Sequence, residues 1–452
     1  MDTFPKTAAY YGRANPHLVP AVPAAALTIL DVGCGAGALG AALKDKSPGR
    51  RVYGVETHRL AAEAAGRVLD GVFAIDVETA DVPLPPGAVD VIIFGDVLEH
   101  LRDPEGALRR CRPLLAPGGA VLASVPNAQH HSVVLALAAG DFQYAPEGLL
   151  DATHLRFFTR STAQKLFLDA GYSPDLVDAV AVPAPPGVHA LLAPVAAALG
   201  LTPARARFEY DAYQYVFRAA PLPEVAPGLA EPLTVVACVS DERVLRANLL
   251  ASPDLGPGTP HEVILARDCP TAAAGLNAGL AKARHPVVVA AHQDVYLPRG
   301  WCHRFLAAWR GAERRFGPVG VAGVYGVAGR GDAARRAGHV VDRLRRLREP
   351  EPLPAAVDSL DELLLAVRRD AGLAFDPALG FHLYGAAVCL DARRRGLAAV
   401  AVDAPCLHNS RSEGLPPAFA ASVRAFSRKW AAALPVATPC VQIGTDGAYR
   451  EW

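Results

Sequence analysis

The residues of this 452-residue chain best suited to chemistry begin with Leu30 to Gly40, LDVGCGAGALG, in which Asp31 precedes Gly33, Gly35 and Gly37. A strand that ends in glycines brings backbone N–H groups and a helix N-terminus against whatever binds there, because glycine permits close approach and φ > 0. That geometry suits an adenosine-bearing ligand. The spacing alone leaves NAD and S-adenosylmethionine both open. Asp31 would repel a pyrophosphate but attract the ammonium at the amino-acid end of S-adenosylmethionine. Glu56 ends the next apolar run, RVYGVE, a place from which a carboxylate takes two ribose hydroxyls of either ligand.

From Pro126 to Arg160 the sequence turns polar and aromatic and offers His130, His131, Asp151, His154 and Arg156. Loops beyond strand C-termini are where α/β proteins build substrate sites. His154, neutral near pH 7, is the candidate general base, with Asp151 beside it in DATHLRFF. A structural hydrogen bond is the competing reading for each residue taken singly.

Val89 to Leu101, VDVIIFGDVLEHL, is an apolar run that enters an acidic turn. Together with DVGCGAG and the acid of RVYGVE, it resembles the class I S-adenosylmethionine-dependent methyltransferases over roughly half the chain. The resemblance implies that Asp31, Gly33, Gly35, Gly37, Glu56 and Asp96 line the cofactor site, with Asp76 at the adenine amino group. Tyr11 and Arg13 would belong to an N-terminal segment closing over the cofactor's carboxylate end. No NPPY-like motif follows Gly95, which favours O-methylation over methylation of an amino group or base.

In the second half, Ala274 to Trp301, AGLNAGLAKARHPVVVAAHQDVYLPRGW, resembles family 2 glycosyltransferases of the GT-A fold. The resemblance implies that Asp241, Asn277 and Asp294 bind a nucleotide-sugar donor, and that Asp294 and His408 hold Mn²⁺ or Mg²⁺ against its diphosphate. His292 and Gln293 stand where the usual motif has further acids. FDPALGFHLYGAAVCLDARRRG resembles the acceptor-side segment, yet Ala386 and Ala387 occupy the neighbourhood of the expected base. Asp376 and Asp391 are the nearest carboxylates, and Asp376 is the candidate. A C-terminal half that binds donor or glycan without turning it over is the alternative.

These residues need two α/β scaffolds. Short apolar strands are expected at Thr28–Val32, Val52–Glu56, Val72–Asp76, Asp90–Gly95 and Ala120–Val125, separated by helices, followed by an antiparallel strand at Tyr213–Arg218. Asp103 and Pro104 cap a helix that APGG stops. The expected architecture is a seven-stranded Rossmann-like methyltransferase domain over residues 1–220, a proline-rich linker over 221–232 and a GT-A-like domain over 233–452. Gly187 to Leu201 reads as a core or lid helix. Arg335 to Arg348 reads as a solvated amphipathic helix, with an anionic glycan, phosphate or membrane surface as the alternative.

Lys+Arg and Asp+Glu are equal at 45 each, so net charge points to no nucleic-acid partner. The eight cysteines lack zinc spacing and favour a reducing cytoplasm. No signal-like N-terminus and no transmembrane-length apolar run is present, which leaves peripheral membrane association open. The partners expected are S-adenosylmethionine and a sugar, nucleotide-sugar or glycan.

Overall fold

The computed structural model describes residues 6–226, 231–411 and 414–451. The chain divides into two compact units, Met1–Pro223 and Glu224–Trp452. The boundary falls within the proline-rich stretch, of which residues 227–230 lie outside the described residues.

The N-terminal unit is built on β1 (Thr28–Val32), β2 (Arg51–Val55), β3 (Gly71–Phe73), β4 (Val89–Gly95), β5 (Leu115–Pro126), β6 (Tyr172–Ala181) and β7 (Ala212–Pro221). They form one sheet in the order β3-β2-β1-β4-β5-β7-β6. The first five run parallel, and β7 returns antiparallel to both β5 and β6. Every residue of β1 is buried, as expected of a strand covered by helices on both faces. Strand order reverses between β1 and β4, so their C-terminal ends open a crevice. The third strand is shorter than expected and stops before Asp76. Asp103 caps the helix Pro104–Cys111 by accepting from Gly106 N at 2.9 Å. The helix is not stopped by APGG: it ends at Cys111, passes a short turn, and Leu115 already pairs with Val89 in the sheet.

Val188–Ala198 is a helix that buries Leu192 and Ala196 and leaves Leu191 and Val195 exposed. Among the described residues no single helix is long and apolar enough to cross a membrane; this helix and Pro203–Asp211, bent by 118°, reach that length and composition only together.

The C-terminal unit carries a second seven-stranded sheet. Val287–Ala291 lies in it between Thr234–Val239, which is parallel, and Leu364–Arg368, which is antiparallel. A further sheet pairs Val295–Tyr296 with Leu407–His408, and the latter with Arg335–Asp342. Arg335 to Arg348 is therefore not a helix but a hairpin, Arg335–Asp342 paired antiparallel with Arg345–Arg348. Gly338 at φ 150 and the run His339–Val341, fully buried, fit a pleated strand better than a solvated helix face.

Candidate functional site

The crevice of the N-terminal unit holds a cavity of about 780 Å³. Its floor comes from the ends of β1, β2 and β4. Asp31 is 3% exposed, and its Oδ2 has no hydrogen-bond partner among the described residues. Burial, and then the nearby Glu56 carboxylate, push the Asp31 carboxyl up to about 7. A buried acceptor left unmade costs about 1–3 kcal/mol, and a cationic ligand in the cavity would satisfy it. Glu56 accepts from Gly35 N at 2.9 Å and from His58 N at 2.7 Å, so the carboxylate that faces the cavity also fixes the glycine loop.

The three glycines do different things. Gly33 (φ 72) and Gly35 (φ 54) line the cavity. A Cβ at Gly35 would lie 2.5 Å from the carbonyl oxygen of Tyr11, so glycine lets the N-terminal segment lie on the loop. Gly37 (φ 85) lies at the start of the helix Ala38–Lys46, where a Cβ would stand 3.2 Å from Ala65 Cα. It is not among the cavity-lining residues. At the helix start it serves helix packing.

Asp76 lines the rim and accepts from Glu78 N at 2.8 Å. Asp96 adopts φ 56 just beyond β4 and is held by Ser124 Oγ at 2.8 Å and Gln214 Nε2 at 2.9 Å. The N-terminal segment roofs the cavity with Tyr10, Tyr11 and Arg13. Tyr11 stacks on His58 at 4.4 Å. Arg13 pairs with Glu147 at 2.6 Å, and Lys6 pairs with Asp151. Asp151, also bonded to Thr153 N and Oγ1, is held below the usual carboxylate range although burial opposes it. A carboxylate so held is a latch for Lys6.

His154 lines the cavity with Nδ1 3.2 Å from Leu149 O, leaving Nε2 toward Glu99 Oε1 at 4.0 Å. Burial, then the neighbouring His100, push it down to about 4, so the imidazole is neutral at pH 7. Glu99, not singled out in the sequence, is 1% exposed with Oε2 unpartnered among the described residues; burial, then Asp96, holds its carboxyl well above the usual range. Glu99, His100 and His154 bring one ligand atom each within 4.8 Å of one another. His130 and His131 are structural: they bond Val182 O at 3.1 Å and Tyr210 O at 3.0 Å.

In the C-terminal unit the turn after Val287–Ala291 carries His292, Gln293 and Asp294. Val295 lies opposite His408 in one strand pair, and Asp342 opposite His408 in the next. Backbone register thus gathers three residues distant in sequence. His408 Nε2 lies 3.5 Å from Asp294 Oδ1, and its Nδ1 lies 2.8 Å from Asp342 Oδ1. Burial opposes the charge on His408, but the Asp342 bond and the Asp294, Asp342 and Asp361 carboxylates push it up to about 9. His292 and Gln293 are not the acids of the usual motif. Yet His292 faces Asp294, and Gln293 Oε1 accepts from Ser240 N and Asp241 N at 2.9 and 3.0 Å.

Asp241 caps the helix Glu242–Ala247. Asn277 commits its amide to Phe375, giving Nδ2–H to O at 2.7 Å and accepting from N at 2.8 Å, and so fixes the Phe375 loop. Asp376 accepts from Lys429 Nζ at 2.6 Å and Ala378 N at 3.0 Å, and Asp391 pairs with Arg395 at 3.1 Å. Both carboxylates are ion-paired here. The carboxylate at the N-terminus of the helix Tyr384–Arg394 is Glu362, which accepts from Gly385 N at 3.1 Å. Burial, opposed by that bond and aided by Asp361, pushes Glu362 up to about 8. A Cβ at Gly385 would lie 2.5 Å from Leu360 O and 3.0 Å from Glu362 Cγ, so glycine lets the Leu360–Glu362 segment lie against the helix start.

Residues 7–177 match a family described as "Methyltransferase domain", and residues 234–421 match one described as "Glycosyltransferase like family". A ubiquinone biosynthesis O-methyltransferase of Cupriavidus pinatubonensis is 30% identical over 155 residues, 33% of this chain and 61% of that one. Its counterpart from Dinoroseobacter shibae is 32% identical over 177 residues, 37% of this chain and 67% of that one. An uncharacterised transposon protein of Streptomyces fradiae is 37% identical over 102 residues, 22% of this chain and 30% of that one. The chain spans between 30% and 67% of the length of these curated relatives. A solved S-adenosylmethionine-dependent methyltransferase of Thermotoga maritima is similar at 17% identity and TM-score 0.32, over 45% of this chain and 86% of that one. The N-terminal unit is thus an S-adenosylmethionine-dependent methyltransferase domain, and the C-terminal unit belongs to a glycosyltransferase-like family.

Proposed function

We propose that the N-terminal unit methylates a hydroxyl of a sugar, nucleotide-sugar or glycan, and that the C-terminal unit binds a nucleotide-sugar with a divalent cation at Asp294 and His408. The observation that carries the first part is the unpartnered Asp31 Oδ2 on the floor of a 780 Å³ cavity. Asp31 and Glu56 there offer the ligand two carboxyl groups, and a cation favours the ionised form of Asp31, which suits a sulfonium and ammonium and disfavours a pyrophosphate. The bound cofactor supplies an activated methyl group. The chain's own residues need only hold the acceptor oxygen in line and accept its proton.

His154, neutral and with Nε2 free of a backbone partner, is the group we assign to that proton. Glu99, kept protonated by burial, orients the acceptor without competing for it. The relatives are named for O-methylation, which supports oxygen as the acceptor atom. Beside His154 stand Phe157 at 6.2 Å and, beyond it, Phe142 and Tyr144, all partly exposed; their flat faces suit the C–H face of a sugar ring. Fusion to a glycosyltransferase-like unit suggests a shared glycan substrate.

For the C-terminal unit, Glu362 favours sugar transfer over binding alone, because it supplies a carboxyl group where Ala386 and Ala387 have none, able to take a proton once it ionises near pH 8. Eight free cysteines suit a reducing compartment, and we place the protein in the cytoplasm. The test is incubation of the full chain with methyl-labelled S-adenosylmethionine and separate panels of nucleotide-sugars, glycans and simple phenols. Label entering a sugar hydroxyl is expected. Label confined to phenols would remove the sugar from this reading.

A further inference from the structure

We propose that His292, Asp294 and His408 form a preorganised three-ligand site that takes a transition-metal ion in preference to Mg²⁺. The inference deepens the nucleotide-sugar reading by choosing the ion, and it rests on how each side chain is held from outside. His408 gives Nδ1–H to Asp342 Oδ1 at 2.8 Å, which leaves Nε2 3.5 Å from Asp294 Oδ1, where a metal ion would take the place of the Nε2 proton. His292 Nε2 lies 3.1 Å from Tyr384 OH, which leaves Nδ1 4.0 Å from the same Asp294 oxygen. Two inward nitrogens and a carboxylate oxygen thus converge within 4.8 Å of one another. Ligands bonded to one metal at about 2.1 Å stand roughly 3–3.5 Å apart, so the present spacing needs only a small closure.

The scaffold resists relaxation away from this arrangement. Asn409 N donates to Asp294 O at 2.9 Å, and His292 N donates to Leu363 O at 2.9 Å. Tyr384, fixed in the first turn of the buried helix Tyr384–Arg394, is 2% exposed. Outer partners of this kind set the tautomer and orientation of metal-binding imidazoles.

The donor set decides the ion. Mg²⁺ prefers an octahedron of oxygens and gives up water reluctantly, whereas imidazole suits later first-row ions. His292, standing where an acid would make an oxygen-rich site, tips the set to two nitrogens and one oxygen. Three protein ligands leave positions open for oxygens of a bound diphosphate.

The full chain, stripped with a chelator, is titrated with Co²⁺ alone, and visible d–d absorption reports binding. Zn²⁺ should displace Co²⁺ near stoichiometry, and Mg²⁺ in hundredfold excess should not. His292→Gln and Asp294→Asn should each weaken Co²⁺ binding at least tenfold, and Asp342→Asn by about ten- to a hundredfold, with metal-free melting temperatures showing that each variant folds. A cobalt spectrum and affinity unchanged in His292→Gln and Asp294→Asn would overturn the proposal, as would displacement by equimolar Mg²⁺ from the unmutated chain. Cobalt binding that depends on His292 but never couples to a nucleotide-sugar sinks the donor reading and supports the metal site.

Discussion

Replacing Asp31 by asparagine should stabilise the cofactor-free protein above neutral pH while weakening its hold on S-adenosylmethionine. In the folded chain this carboxyl keeps its proton to about pH 7, whereas its ordinary value is 3.8. Between those values the folded state binds more protons than the unfolded one, so stability falls as pH rises, and the loss is complete above pH 7. At 1.36 kcal/mol per pKa unit the full loss is on the order of 4 kcal/mol. The amide side chain would be spared that loss but would bring an unsatisfied N–H worth about 1 kcal/mol. Asp31→Asn should therefore be slightly less stable than the native chain near pH 4 and more stable by on the order of 3 kcal/mol at pH 8. Denaturant unfolding is followed at the transition that S-adenosylhomocysteine shifts, since a chain of two units need not unfold in one step. Cofactor affinity by calorimetry should fall roughly ten- to a hundredfold, as expected for a lost charged hydrogen bond. Equal stabilities at pH 8, or a gain that persists undiminished at pH 4, would refute the claim that the cavity floor stores this electrostatic cost.

Gly37→Ala should cost about 1–3 kcal/mol of stability, from left-handed strain and the close Ala65 backbone, with cofactor affinity per folded molecule unchanged; calorimetry showing weakened binding would return Gly37 to the cofactor site. His154→Ala should lower methyl-transfer turnover by roughly 10² to 10⁴ with cofactor binding intact. Because burial has already pushed His154 to about 4, the kcat profile should show no imidazole limb near its ordinary 6.5, and a limb there that His154→Ala abolishes would contradict the neutral imidazole. Glu362→Gln should cut release of nucleoside diphosphate by roughly 10² to 10⁴ while leaving the donor-induced melting shift in place; turnover equal to that of the native chain would mean that another group takes the proton.

Local chemistry made the fold legible and part of the sites. Asp31 and Glu56 were readable because each ends an apolar run next to glycines, and a strand end can point only into the crevice. The hairpin at Arg335–Arg348 was not, because its arginines satisfy a helical period about as well as an alternating one, and it is pairing with Tyr325–Ala328 and with Leu407–His408 that selects the strand. Gly37 fitted a fingerprint whose positions are defined by spacing, whereas its left-handed φ answers to the Ala65 helix packed against it.

The residues that sequence reasoning missed share a different cause. Glu99 is buried in the acidic turn after the fourth strand, and its significance comes from an empty hydrogen-bonding valence that no pattern displays. His292 departs in residue type from a known motif, although Tyr384 and Asp294 give its two nitrogens opposite tasks. Glu362 lies over twenty residues before the helix whose N-terminus it caps, and it reaches Gly385 N only because glycine there makes room. A missing acid at Ala386 and Ala387 is therefore not a missing carboxylate. Where a helix N-terminus offers free N–H groups and a favourable field, an acid from any neighbouring loop can settle there. A motif search asks which residue stands at a position, whereas the reaction asks which oxygen stands at a point in space.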